Sequence, residues 1–321
     1  MKTIAVLASG GDSPGMNACI RAVVRAGAHR GLETFGVKDG YLGLLAGAFT
    51  PLHRHDVSNI IQRGGVILGA SRCPEFTTPE GRAKGAAVLR ATGIDGLIAI
   101  GGDGTLRGAK ALAAEQGIPV ILAPGTIDND VPGTDFTIGF DTAVNTAVEA
   151  VDRLRDTAEA TERVFFVEVM GRESGTLALH AGLAAGADAI LVPELRTDID
   201  ELVALLNRAI LRHSRSLIVV IAEGDCAGGA FTIAEQVHDQ IKRDYRVTVL
   251  GHVQRGGTPT ARDRVLATRL GIAATQALID GKGNHIVGEM NGAIRATPFD
   301  ELGADKRLAP LALLELLPEL V

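Results

Sequence analysis

Val120-Ile121-Leu122-Ala123-Pro124-Gly125-Thr126-Ile127-Asp128-Asn129-Asp130 is an apolar run that breaks into a turn carrying a hydroxyl and two carboxylates. The run reads as a buried strand, and in an open parallel sheet ligands collect beyond such carboxyl ends. Outward from it the same grammar repeats. Upstream, Gly96 to Ile100 leads into Gly101-Gly102-Asp103-Gly104-Thr105, and Thr3 to Ala8 leads into Ser9-Gly10-Gly11-Asp12-Ser13-Pro14-Gly15. Downstream, Val164 to Val169 leads into Met170-Gly171-Arg172, and Val247 to Leu250 leads into Gly251-His252-Val253-Gln254-Arg255-Gly256-Gly257. Strand, loop and helix alternate along the chain, the signature of an α/β fold with doubly wound parallel sheets.

Length and composition agree. At 321 residues the chain calls for about two domains, and 46% hydrophobic with 22% charged residues is a globular balance. The 40 glycines have no collagen-like period, and with no Trp and 3% aromatics the cores must be aliphatic. A net charge of −6 argues against nucleic acid as a bulk partner. Cys19, Cys73 and Cys226 are odd in number and far apart, which suits free thiols in a reducing cytoplasm. No apolar run reaches the length of a membrane span, and Thr3 to Ala8 is too short for a signal segment.

The intervening elements are predicted as follows. Asp12 or Ser13 caps a helix whose first turn holds Pro14, with Arg21 and Arg25 stacked on one face. Glu33 to Lys38 is a strand from which Asp39-Gly40-Tyr41 turns away, and Asp56 to Gln62 is a short helix. Ser71-Arg72-Cys73-Pro74 presents an arginine in a loop. Helices are expected from Thr78 to Gly93, Thr142 to Thr157, through Leu177 and Leu183, through Leu202 to Ala209, from Phe231 to Lys242 and from Ala261 to Ile279. Strands are expected at Ala189 to Val192 and Leu217 to Ala222, a hairpin around Asn291-Gly292, and a terminal helix over Leu308 to Leu317. His53 and His55 form an H-x-H pair, but with no third ligand nearby it does not read as a zinc site.

The loops suggest chemistry. Asp128 and Asp130 can accept a proton, hold a metal, or do one of each; in the plainer reading they stabilise an Asx turn. Glycines at 101, 102 and 104 let backbone N–H groups approach phosphates at a helix N-terminus. The chain has no Walker A motif, and a carboxylate inside a phosphate loop repels bare phosphate. Asp103 therefore makes sense as a ligand for Mg²⁺ carried by a nucleotide.

Together Gly10 to Asn17, Gly101 to Thr105, Pro124 to Asp130, Val169 to Arg172 and Gly251 to Gly257 resemble bacterial ATP-dependent 6-phosphofructokinases over nearly the whole chain. The G-G-D-G-T loop alone also occurs in lipid and NAD kinases; the five in this order are specific. The resemblance implies two Rossmann-like domains with the active site in the cleft between them. Residues 1–139 plus 252–305 would form the nucleotide domain, and 140–251 plus 306–321 the sugar-phosphate domain. It further implies a homotetramer that phosphorylates fructose 6-phosphate with ATP and Mg²⁺ in glycolysis. A pyrophosphate-dependent relative and a non-catalytic sugar-phosphate sensor are the alternatives.

By the same resemblance Asp128 is the base toward the sugar's 1-hydroxyl, Asp103 the magnesium-side carboxylate and Asp130 its helper. Thr126, Arg172 and Arg72 would stabilise the transferring phosphoryl group. Gly11, Tyr41, Arg72, Cys73, Gly102, Asp103, Gly104, Thr105 and Gly108 would line the ATP site, Cys73 as a space-filler rather than a nucleophile. His252 and Arg255, with Arg163 and Arg246 from a neighbouring subunit, would hold the 6-phosphate; Ile127, Met170, Gly171 and Glu223 would face the sugar. Gly104 and Gly125 stand where pyrophosphate users carry Asp and Lys, which favours ATP. An anionic effector such as ADP or phosphoenolpyruvate would meet Arg21, Arg25, Arg54, Arg155 and Arg212. Nearby, Asn59, Asp188 and Ser214 depart from the commonest Asp, Glu and Lys, leaving the effector and the sign of its action open.

Overall fold

The computed structural model describes residues 1–241, 243–303 and 306–320. In chain order the elements are β1 (Thr3–Ala8), α1 (Met16–His29), β2 (Glu33–Val37), α2 (Gly40–Ala46), β3 (Phe49–Pro51), α3 (Pro79–Ala91), β4 (Gly96–Gly101), α4 (Asp103–Gln116) and β5 (Val120–Pro124). They continue with α5 (Phe140–Thr161), β6 (Val164–Val169), α6 (Thr176–Ala184), β7 (Ala189–Leu191), α7 (Ile199–Leu211), β8 (Leu217–Ala222), α8 (Ala230–His238) and β9 (Tyr245–Val249). Last come α9 (Ala261–Ile279), β10 (His285–Met290) and β11 (Ala293–Pro298).

The chain divides into two compact units. The first contains Met1–Ile127, Val131–Thr142 and Arg255–Arg307; the second contains Asp128–Asp130, Ala143–Gln254 and the stretch from Leu308 onward. The expected boundary at 305 and the last position, 321, lie outside the described residues.

A seven-stranded sheet, ordered β11-β10-β5-β4-β1-β2-β3, organises the first unit. Its side chains alternate as the pleat requires. Ile4, Val6 and Ala8 of β1 join one core with Met16 and Ile20 of α1 and Leu266 and Leu270 of α9. Ala5 and Leu7 join another with Leu44, Leu89 and Leu112. Both faces are covered, so the central strands read as continuous apolar runs. Strand order reverses between β1 and β4, so the loops following these two strands open side by side. Sheet order in the second unit is β7-β8-β6-β9, all parallel, with Val164 and Phe166 packed against Leu206 and Ile233.

Several expectations need correction. The first sheet is not wholly parallel: β3 pairs antiparallel with β2, and β11 with β10. Neither Asp12 nor Ser13 caps α1; Gly15 does, at φ 103°, while the Ser13 hydroxyl donates to the Ile138 carbonyl at 2.8 Å. Residues 56–62 form turns rather than a helix, because Asn59 takes a left-handed φ of 56° that breaks helical continuity. Gly40 begins a helix instead of a simple turn. The helix expected to reach Lys242 ends at His238, and Lys242 lies outside the described residues. The C-terminal segment is a 3₁₀ turn over Leu311–Leu316 followed by one α turn, Leu317–Leu320. No described helix is long and apolar enough to cross a membrane.

Candidate active site

In the first unit the loops after β1 and β4 are fastened together at the switch point. Ser9 N–H donates to the Ile100 carbonyl at 3.0 Å, and the Thr105 hydroxyl donates to the Ser9 carbonyl at 3.0 Å. Gly102 takes extended backbone as the N-cap of α4 and offers no side-chain cap to the first N–H groups of that helix. The loop after β5 joins them: Gly125 N–H donates to Gly101 O at 2.9 Å, and a Cβ on Gly102 would stand 3.2 Å from that of Thr126. Gly11 lies under Arg255, whose Nη1 would be 3.0 Å from a Cβ placed there. Sequence reasoning brought Gly11, Gly102, Thr105 and Thr126 together; it did not anticipate Arg255 among them.

Asp103 begins α4, where a carboxylate also offsets the helix dipole. It is 22% exposed and pairs with Arg107 one turn on, at 2.7 Å. The donor chemistry fits Mg²⁺, which demands oxygen and keeps most of its shell as water or substrate phosphate. Among the described residues no group of three possible metal ligands forms around Asp103.

Tyr41 is not a free wall. Its ring stacks on Phe76 with centroids 3.9 Å apart, its hydroxyl donates to Thr105 O at 3.0 Å, and burial pushes its phenol up. A Cβ on Gly108 would stand 3.0 Å from that ring, so Tyr41 and Gly108 form one contact beneath α4. Phe76 was missed, because nothing in the sequence links it to Tyr41. Arg72 is exposed and Cys73 half-buried at the entry to a 3₁₀ turn, Pro74–Thr77.

In the second unit Asp128, Asn129 and Asp130 are all buried, and Asn129 turns the chain at φ 51°. Arg172 stands beside Asp128, Nε to Oδ2 at 3.8 Å. The arginine is held there by its backbone. Arg172 has φ 53°, and Glu223 at the end of β8 accepts the N–H groups of Arg172 at 2.8 Å and Gly171 at 3.3 Å. Gly224 passes so close that a Cβ on it would fall 1.9 Å from Arg172 O. Met170 is buried at the same strand end.

Arg163 and Arg246 belong to the other end of that sheet. Arg246 pairs in register with Phe165, while Arg163 precedes β6 and faces Asp244 at 3.9 Å. His252 is exposed within the 3₁₀ turn Gly251–Arg255. The proposed effector residues divide between the units: Arg21, Arg25, Arg54 and Asn59 in the first, Arg155, Asp188, Arg212 and Ser214 in the second. Burial, then the neighbouring Arg25, lowers the pKa of Arg21. Arg155 donates to the carbonyls of Ala185 and Gly186, both at 2.7 Å, and Asp188 accepts Ile218 N–H at 2.7 Å. Burial raises the Asp188 carboxyl.

A further carboxylate escaped sequence reasoning. Asp263, 1% exposed in the first turn of α9, accepts Gly139 N–H at 2.9 Å, Thr142 N–H at 2.8 Å and the Thr142 hydroxyl at 2.5 Å. Its Thr260-x-x-Asp263 spacing is visible as a cap, and Thr260 does accept Asp263 N–H at 3.2 Å. Its hold on residues 139–142 is not local and left no signal.

Glycine loops at the switch point of a parallel sheet, with a buried carboxylate beside an arginine in the second unit, place this chain among the α/β phosphate-handling proteins. The phosphofructokinase family profile matches residues 3–278. ATP-dependent 6-phosphofructokinase 1 of Thermus thermophilus is 54% identical over 316 residues, covering 98% of each chain. The ATP-dependent 6-phosphofructokinase of Bacillus cytotoxicus is 50% identical over 320 residues, 100% of this chain and 99% of that one. Among solved structures, phosphofructokinase from Saccharomyces cerevisiae superposes with a TM-score of 0.87 at 38% identity, covering 94% of this chain and 45% of the yeast chain. The chain belongs to the phosphofructokinase family.

Proposed function

We propose that the chain is an ATP-dependent 6-phosphofructokinase, moving the terminal phosphoryl group of ATP to the 1-hydroxyl of fructose 6-phosphate and releasing fructose 1,6-bisphosphate, ADP and a proton. The observation that carries the reading is the buried Asp128 carboxylate with the Arg172 guanidinium 3.8 Å away. A base and a cation side by side are what in-line transfer to an alcohol requires. Asp128 takes the hydroxyl proton as the new O–P bond forms. Arg172, with Arg72 and Thr126, offsets charge on the transferring oxygens. Gly11 and Gly102 to Thr105 receive the nucleotide phosphates through backbone N–H groups, over a floor made by Tyr41, Cys73 and Gly108. Asp103, with Asp130 assisting, would hold the Mg²⁺ that arrives with the nucleotide, and the ion would supply charge neutralisation on those phosphates.

Ile127, Met170, Gly171 and Glu223 face the sugar, and His252 and Arg255 its phosphate. Arg163 and Arg246 lie at the start of β6 and of its neighbour β9, the opposite end of the second unit's sheet from Arg172. By the family resemblance, these arginines would serve the 6-phosphate site of a neighbouring subunit in a homotetramer. The donor is ATP for a steric reason. Space beside Gly104 is open, and the Gly125 position is closed by Met16 and Ile100, each 3.1 Å from a Cβ there; a Lys at 125 would have to displace both. Regulation by an anionic effector through the two arginine sets, in the cytoplasm, completes the proposal. Because Asp188 is engaged by a backbone amide, it is a poor ligand for an effector-bound metal.

A coupled assay for ADP release with fructose 6-phosphate tests this. Turnover with ATP and none with pyrophosphate is expected; turnover with pyrophosphate alone, or with neither, rejects it.

A further inference from the structure

His53, His55 and Asp56 close on one another in the turn that follows β3. His53 Nδ1 lies 3.2 Å from Asp56 Oδ2, and His55 Nε2 lies 3.2 Å from Asp56 Oδ1. One donor atom from each of the three falls within 4.8 Å of the others. The turn is held by its backbone: Asp56 N–H donates to His53 O at 3.1 Å, and His53 N–H donates to Asp56 Oδ2 at 2.8 Å. The third ligand that the H-x-H pair lacked in sequence is its immediate neighbour.

We propose that these three side chains form a binding site for a borderline-soft divalent cation, Zn²⁺. With metal–ligand bonds of ~2.0–2.2 Å, neighbouring ligands in a tetrahedral site stand about 3.3 Å apart. Both His–Asp separations are of that size, but each histidine faces a different oxygen of Asp56, so the carboxylate would bind through both oxygens or turn to offer one. The two imidazoles must also approach each other, and their side chains are largely exposed. Two nitrogens and one oxygen suit zinc and not the hard Mg²⁺ that the phosphates bring. A fourth position stays open to water. Arg54 sits between the two histidines, so a bound ion fixes the backbone on both sides of it.

Calorimetric titration of the metal-stripped, full-length protein with zinc chloride tests the site. One Zn²⁺ per chain is expected, with affinity at least tenfold weaker in His53→Ala and in His55→Ala, and with the stoichiometric event lost in the double variant. Excess magnesium chloride should leave the isotherm unmoved. The inference is overturned if wild type binds no zinc, if the double variant binds as wild type does, showing the ion to be elsewhere, or if magnesium displaces it. Circular dichroism of the variants should match wild type, since both histidines are exposed.

Discussion

Replacing Asp263 probes the joint on which the chain leaving the Asp128 loop is hung. Three donors converge on its two oxygens, and Thr142 cannot turn its hydroxyl away because that oxygen also accepts Thr260 N–H at 3.0 Å. Asp263→Asn keeps the shape but has one acceptor oxygen. Whichever way the amide faces, its NH₂ meets either Gly139 N–H or Thr142 N–H, and one buried donor goes unpaired at about 1–3 kcal/mol. Asp263→Ala orphans all three, for about 3–9 kcal/mol. With no tryptophan in the chain, urea unfolding is best followed by far-UV circular dichroism. The pH dependence has a definite sign. Burial raises the Asp263 carboxyl above its ordinary value, against the pull of its hydrogen bonds. The folded state therefore binds this proton more readily than the unfolded chain, and the group's contribution is full below about pH 3.9 and lost as pH rises through the folded pKa. Wild type should gain on Asp263→Asn as the solution is acidified through that window. An Asn variant within about 0.5 kcal/mol of wild type at neutral pH, below the cost of even one orphaned donor, would refute the reasoning.

Two further outcomes follow from close contacts. Gly224→Ala puts a Cβ against Arg172 O; with the arginine displaced by the order of an ångström, kcat should fall about 10²-fold, and a wild-type kcat would count against Arg172's role. A Cβ at position 104 meets nothing within 4 Å, so in Gly104→Asp the melting temperature should hold while KM for ATP rises; an unchanged KM would remove the steric argument for the donor.

Strands were the most legible feature. β1, β6 and β8 run within their predicted limits because strands buried on both faces must be apolar throughout and their ends are marked by glycine. α9 was equally plain, running from Ala261 to Ile279 as expected and closing at Gly281. Where the chain turns on a single left-handed residue, as at Asn59, or on a partner far away, as Ser13 does with Ile138, local pattern misled. The short edge strand β3 is too brief to show a period. For the site, loop positions could be read because ligand loops follow strand ends, which placed Gly102, Asp103, Asp128 and Arg172 at such ends. Contacts that join distant segments, Tyr41 on Phe76 and Asp263 on Gly139 and Thr142, carry no local signature. The zinc-type cluster was the reverse case: its third ligand adjoined the pair, and only the turn's geometry showed that Asp56 faces both rings.

The claim that bears the most weight is that Asp128 removes the proton from the sugar hydroxyl. Steady-state kinetics of Asp128→Asn, which preserves the side chain's shape, tests it most directly. A kcat lowered by ~10²–10⁴, the usual contribution of a general base, with KM for fructose 6-phosphate and ATP little changed, is the predicted result. A variant that turns over at close to the wild-type rate would contradict the account.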